Sequence, residues 1–285
     1  NRGIEMNLEW RDKTESGFEY NVGVNMSTIR NRMTKLNGGT PISDGPFRNG
    51  SMYLTYTNEG MPIGAFWGYK TDGLIQTQEQ LNAVKRADFQ PNAELGDVLF
   101  VDTNGDGKLD SSDRCMIGNP IPDIIYGINM GMAWKGFDLN LQFGGTIGNQ
   151  IFNAMRYYTY FPNDITNKDR ALMNYWTPNN TNTDIPRLTA TDVNDNDRFS
   201  DMYVENGTYF RLRNAQLGYT LPASLTQRIK LQKVRFYVSG QNLFTISSYS
   251  GMDPEVGQSS SLSRGIDYGI YPQNISFTGG INVTF

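Results

Sequence analysis

Asp102 to Asp113 reads D-T-N-G-D-G-K-L-D-S-S-D. Oxygen-bearing side chains fall at positions 1, 3, 5, 9 and 12 of this stretch, and Gly107 stands at position 6. That spacing suits a hard cation such as calcium, because a tight turn at the glycine lets one loop wrap one ion in oxygen ligands. Asp102, Asn104, Asp106 and Asp113 are the expected side-chain ligands, Lys108 supplies its carbonyl, and Asp110 acts through water. Asp113 replaces the usual Glu at position 12. The plainer reading is an acidic glycine turn without metal. No strong helix precedes the loop, so a structural Ca2+ that pins a long connection is expected rather than a helix–loop–helix sensor. The loop offers no nucleophile and no base.

Other chemistry is sparse. The chain contains no histidine, which removes Ser-His-Asp and Cys-His catalysis and His-ligated zinc. Its single cysteine, Cys115, forms no internal disulfide. Asp192, Asp195, Asp197 and Asp201 read as a solvated acidic loop before they read as a second metal site. Tyr157, Tyr158, Tyr160, Phe161, Tyr175 and Trp176 suit stacking on sugars or a partner, and equally suit packing of their own loop. Arg187, Arg211, Arg213 and Arg235 are candidates to line a wet lumen. No catalytic residue is assigned. With 25 basic and 29 acidic residues, no surface for nucleic acid is implied.

The elements that position these residues are strands. Gly3–Arg11, Gly17–Arg30, Ile124–Trp134, Phe137–Phe143, Thr208–Tyr219, Val234–Phe244 and Asn274–Phe285 all alternate apolar with polar, the period of a strand with two different faces. The parity slips between Leu212 and Ala215, which predicts a bulge near Arg213. Connections run short, long, short, long, short, long. The long ones are 31–123, with short β pieces at Met52–Tyr56 and Ile63–Tyr69 and a helix at Thr77–Arg86; 146–206, whose first half, Asn149–Trp176, reads as helical; and 247–273. Leu221–Lys233, with Pro222, is compact. No apolar run reaches the roughly 18 residues of a spanning helix, but barrel strands are amphipathic and need none. Alternation, strand lengths near ten and long loops confined to one end point to an all-β, transmembrane antiparallel β-barrel, lipid outside and water inside. Seven is an odd number with two open edges, which lipid does not tolerate. The chain is therefore expected to be the C-terminal part of something longer, or a cut mature chain, with further N-terminal strands closing the cylinder.

Several segments match a known family. They are G-M-P-I-G-A-F-W-G-Y-K-T-D-G at 60–73, G-D-V-L-F-V-D-T-N-G-D-G-K-L-D-S-S-D-R at 96–114 and I-G-N-P-I-P-D at 117–123, followed by Y-F-R-L-R-N-A-Q-L-G-Y-T-L-P at 209–222, F-Y-V-S-G-Q-N-L-F-T at 236–245 and Y-S-G-M-D-P-E at 249–255. In this order they make the chain resemble the C-terminal region of SusC-like (RagA-like) TonB-dependent outer-membrane transporters. The resemblance implies the last seven strands of a 22-stranded barrel plugged by an N-terminal domain. It also implies a SusD-like surface lipoprotein as partner, coupling to the TonB complex through the N-terminal part of the same transporter, and import of a glycan or peptide cargo. The 102–113 loop would face extracellular calcium. A rival reading is a calcium-stabilised secreted or surface β-domain adhesin. A barrel-embedded hydrolase is disfavoured by the missing histidine and nucleophile motif.

Overall fold

The computed structural model describes residues 1–161, 167–257 and 260–285, the Ile229 side chain excepted. Seven long strands form one antiparallel meander: β1 (Glu5–Lys13), β2 (Glu19–Thr28), β3 (Ile124–Trp134), β4 (Phe137–Ile147), β5 (Tyr209–Thr220), β6 (Lys233–Ser247) and β7 (Ser276–Thr284), each paired with its neighbours in order. The register joins their like faces. One row across the sheet is Trp10, Val22, Met130, Leu141, Ala215, Gly240 and Phe277. The row one residue on, with the opposite parity, is Arg11, Asn21, Gly131, Asn140, Gln216, Ser239 and Thr278. A one-residue slip would interchange the two faces, so the alternation itself holds the register.

The expected slip near Arg213 is present. Leu212 pairs with Phe244 and Asn214 with Gln241, leaving Arg213 opposite Asn242 and Leu243, and Asn242 takes a left-handed conformation. At Gly145 the backbone of β5 comes so close that a Cβ would lie 2.0 Å from the carbonyl oxygen of Tyr209.

Among the described residues, nothing packs against the apolar face of the sheet beyond the short-turn rim at Val234. Leu217, Val238, Ile246, Phe277 and Ile281 are all exposed, Val238 by 61% and Phe277 by 79%. The hydrophobic core lies instead in the three long connections. Phe47, Leu54, Phe66 and Ile117 from the first, Phe152, Tyr157, Phe199 and Tyr203 from the second and Ile266 from the third form one buried cluster. Small sheets knit the same body. Ile42–Phe47, Met52–Thr57, Ala65–Gly68 and Cys115–Gly118 form one, and Gln150–Asn153 pairs with both Val204–Asn206 and Ile266–Asp267. The three connections are thus one folded unit on one end of the wall, not three separate loops.

Helix α1 (Gln78–Arg86) agrees with the sequence reading. Thr77 caps it, its hydroxyl accepting from the Gln80 amide while Gln80 reaches back to the Thr77 amide. The helical expectation for Asn149–Trp176 is corrected. Among the described residues of that span only Ala154–Tyr160 (α2) is α-helical, with a 3-10 turn at Arg170–Asn174, because the preceding residues are drawn into the sheet at Gln150–Asn153. Residues 162–166 of that span lie outside those described.

Candidate functional site

The wall has two chemically distinct faces, and the outer one has the form of a lipid contact. At the short-turn end its aromatic row is Trp134, Phe137, Tyr219 and Phe236, paired in sequence across β3 to β6, with the Phe137 and Tyr219 rings 4.5 Å apart. At the other end Tyr126, Gly145 and Phe210 share a row, and Phe210 stacks on Phe143 at 5.2 Å. Along β4 the rows are separated by the run from Phe137 to Gly145, about 26 Å of strand. A barrel tilt of about 40° leaves roughly 20 Å of height, close to the apolar band of an outer-membrane barrel with its flanking aromatic girdles.

The inner face is polar and partly charged. Arg235 donates through Nε to Asp138 at 2.9 Å and through Nη2 to Gln216 at 3.0 Å, bridging β4, β5 and β6. Toward the short-turn end a groove of about 620 Å³ is lined by Arg11, Lys13, Glu19, Asn21, Asp138 and Asn140. Near the long-connection end Arg211, 2% exposed, donates to Asp253 at 2.6 Å, Glu255 at 2.8 Å and Thr245 at 2.8 Å. Arg213 reaches the other oxygen of Glu255. Burial pushes the Asp253 carboxyl up, but amides of Gln273 and Glu255 and the Arg211 guanidinium together hold it below the usual range. Arg211 and Arg235 thus carry inward parity on the wall, and Arg213, unpaired in the bulge, joins Arg211 on Glu255. Arg187 is not on the wall: it sits in the loop body, bound to Glu94 and to Asp97, which is fully buried. Sequence reasoning missed the acidic partners of Arg211. The Asp253 and Glu255 carboxylates within Y-S-G-M-D-P-E were the available signal.

The 102–113 loop is folded by the residues expected to bind metal. Asp102 accepts from the amides of Gly105 at 2.6 Å and Gly107 at 2.8 Å, so its carboxylate sits inside the wrap and its pKa is lowered, chiefly by the Gly107 amide. Asn104 Oδ1 accepts from the Asp106 amide, and Asp106 accepts from the amide of Lys108 and from Asn104 Nδ2. Asp110 accepts from the Ser112 amide and is lowered by it. Asp113 is fully buried and accepts from the amides of Thr103 and Asp110, closing the two ends of the loop on each other. Gly107 has φ +78, a backbone that β-carbon residues resist. The donor set is all oxygen and the wrap is formed, which fits a hard cation. Among the described residues, however, no three carboxylate or thiol side chains converge on one point. The loop brings Asp102, Asn104 and Asp106 onto one turn, with Asp113 beneath at the loop's base.

The remaining candidates have structural roles. Asp201 accepts from the amide and hydroxyl of Thr71, Asp197 from Arg48, Asp195 from Arg198, and Asp192 from the Asp197 amide. Tyr157, Phe161 and Trp176 are buried, and the Trp176 indole donates to Gln76. These rings are core rather than an open stacking platform. Gln90, Asn194 and Asn196 are buried and satisfy the strand Val98–Phe100 with side-chain amides: Gln90 Oε1 accepts from the Phe100 amide, Asn196 Oδ1 from the Val98 amide, and Gln90 Nε2 donates to the Val98 carbonyl. Nothing in their spacing announces this.

A sheet that is greasy outside, wet inside and crowned by a folded loop body defines a segment of an outer-membrane β-barrel. No family model matches the chain. Curated relatives do. Over its whole length it is 36% identical to TonB-dependent receptor P3 of Formosa agariphila, 29% to TonB-dependent receptor P26 of the same bacterium and 27% to TonB-dependent receptor SusC of Bacteroides thetaiotaomicron. The chain spans 28%, 29% and 26% of these relatives. Among solved structures, one of the RagAB peptide transporter superposes on 99% of the chain and 29% of its own at a TM-score of 0.75 and 24% identity, which speaks to the fold. The chain belongs to the SusC-like TonB-dependent receptors, matching their C-terminal region, and its place is the bacterial outer membrane. These relatives bear the names of receptors and transporters, none of an enzyme.

Proposed function

We propose that this chain is a wall and outer-mouth segment of an importer that takes large nutrients, oligosaccharide or oligopeptide, across the outer membrane. Its strands would be the last seven of a 22-stranded cylinder, with the N-terminal part of the same transporter completing the wall and seating a plug against the polar inner face. The loop body would stand outside the cell, wall the chamber where cargo is held, and receive a SusD-like lipoprotein as a lid. Energy would come from the TonB complex through the N-terminal part. The observation that carries this reading is the pairing of an exposed apolar outer face with a self-contained core on one end only. A secreted adhesin would have to hide the outer face, and Leu217, Val238, Phe277 and Ile281 lie exposed on it. The test is affinity purification of the full-length receptor from native membranes in mild detergent. Co-purification of a surface lipoprotein, and loss of growth on one oligomeric nutrient when the receptor is deleted, are expected. A receptor that purifies alone and whose deletion changes uptake of nothing larger than a monomer contradicts the reading.

We further propose that the 102–113 loop takes one Ca2+ as a structural ion. Asp102, Asn104, Asp106 and Asp113 would hold it by side chain, Lys108 by its carbonyl and Asp110 through water. Extracellular sites of this kind bind at about 0.1 to 1 mM. At about 1 mM calcium such a site adds roughly 0.4 to 1.4 kcal/mol to stability.

A further inference from the structure

The connection from Leu221 to Gln232 is more than a turn. Ala223–Thr226 form a short helix that packs on the start of β6, Thr226 is buried, and Lys230 ends the connection's last turn in left-handed backbone. Val234 shares the outward parity of Phe236 and Val238, yet is 6% exposed against 43% and 61%. The connection is therefore folded over the outer face at that rim. The hairpin turn at Lys135-Gly136 lies beside it, the Thr220 amide donating to the Gly136 carbonyl at 2.7 Å.

The charge on this connection is of one sign. From Leu221 to Val234 the sequence holds Arg228, Lys230 and Lys233 and no carboxylate. Lys233 has inward parity, opposite Thr284. Arg228 and Lys230 are exposed, as is Lys135, whose ammonium lies 4.5 Å over the Trp134 ring. Among the described residues none of these three cations has a carboxylate partner. Leu225, 49% exposed, projects from the same short helix, and Trp134 and Phe137 border the turn at 45% and 52%. A cluster of exposed cations is usually just solvated. Here it adjoins the aromatic row of the lipid-facing wall, so the same residues sit where acyl chains end and headgroups begin.

We propose that this rim docks anionic phospholipid headgroups. Lys135, Arg228 and Lys230 receive phosphate oxygens, while Trp134, Phe137 and Leu225 lie among the glycerol and upper acyl groups. A zwitterionic lipid brings its own ammonium, which the three cations repel, so the rim selects for net negative charge. The proposal rests on the wall facing lipid and is independent of what the receptor carries.

The test is native mass spectrometry of the full-length receptor released from mild detergent after exposure to equal phosphatidylglycerol and phosphatidylethanolamine. The wild type should retain phosphatidylglycerol in excess, and the excess should shrink as salt is raised. In the triple variant Lys135→Gln, Arg228→Gln, Lys230→Gln the preference should fall at least about five-fold, the worth of one cation near an anionic surface. The charge-conserving variant Lys135→Arg, Arg228→Lys, Lys230→Arg should keep it. A wild type with no preference at any salt overturns the proposal without recourse to a variant. So does a Gln variant with an unchanged ratio. Loss of a co-purifying periplasmic protein in the Gln variant, with the lipid ratio unchanged, would assign the cations to a protein partner and equally overturn it.

Discussion

Arg211 of β5 donates to Asp253 of the last long connection at 2.6 Å, and the two side chains are 2% and 5% exposed. Among the described residues this is the deepest ion pair joining wall to loop body. Glu255 extends it to Arg213, so the bulge that places Arg213 next to Arg211 also places both guanidinia against one strap of chain.

Breaking the pair from one side strands a buried charge. Arg211→Ala is expected to cost about 3 to 5 kcal/mol, whereas Arg211→Met combined with Asp253→Leu should cost clearly less. Thermal unfolding of the full receptor, with limited proteolysis at 247–257, reads both. Equal losses in single and double variants would show that the pair is not what holds the strap.

The pH dependence of the same strap follows from Asp253. Its folded pKa is lowered, so its contribution is fully present above the ordinary carboxylate value and is lost as pH falls through the depressed value. Protease sensitivity of the 247–257 segment should rise only in acid below the usual carboxylate range, and Asp253→Asn should flatten that profile. Sensitivity that rises instead above neutral pH would contradict this.

How much of this was legible in the sequence depends on the range of the contacts. The wall strands can be read because each carries its own two-residue period, and the bulge because that period slips at Arg213. Helix α1 can be read because Thr77 and Gln80 form a capping box within four residues. The loop body cannot be read in this way. Phe47, Phe152 and Ile266 meet from three segments separated by the wall strands, and no local pattern marks them as partners. The helix expected across Asn149–Trp176 fails for the same reason: Gln150–Asn153 is claimed by strand partners far along the chain. For the 102–113 loop the spacing is legible, but whether its oxygens close on an ion depends on a folded geometry that spacing alone leaves open.

If the three connections are one body, damage to one should loosen all. Phe152 is fully buried, edge-on to Phe47 and to Phe199. Phe152→Ala should cost about 3 to 5 kcal/mol. In hydrogen exchange, protection should drop together in Ile42–Thr57, Val204–Asn206 and Ile266–Asp267, while β3 and β4 keep theirs. Loss confined to the second connection would mean that the body is not cooperative.

The calcium proposal predicts a melting temperature for the receptor that falls with chelator and returns with millimolar calcium but not magnesium, since the loop offers many oxygens rather than a small octahedral cage. Asp102→Asn with Asp113→Asn should abolish the difference. A chelator-insensitive receptor in the wild type would leave the loop as a metal-free turn.

Gly145 tests the close approach of two wall strands. A Cβ there would meet the Tyr209 carbonyl at 2.0 Å and the Tyr126 hydroxyl oxygen at 2.6 Å. Gly145→Val should cost about 1 to 3 kcal/mol by overpacking, seen as a lower temperature for the gel shift that marks barrel unfolding. Gly279→Ala on β7, where the nearest atom is 3.9 Å away, should leave that temperature unchanged.

The central claim is that lipid covers the outer face of the wall, and neighbouring residues test it most directly. Single cysteines at Leu217→Cys and Val238→Cys, and at Gln216→Cys and Ser239→Cys, would each carry a fluorophore in a receptor reconstituted with quencher-bearing lipid, in a Cys115→Ser background. Leu217 and Val238 pair on the outer face, Gln216 and Ser239 on the inner. Strong quenching by lipid at 217 and 238, with quenching by a water-soluble agent at 216 and 239, is the predicted result. Labels at 217 and 238 that neither quencher reaches, as in a packed protein interior, would contradict it.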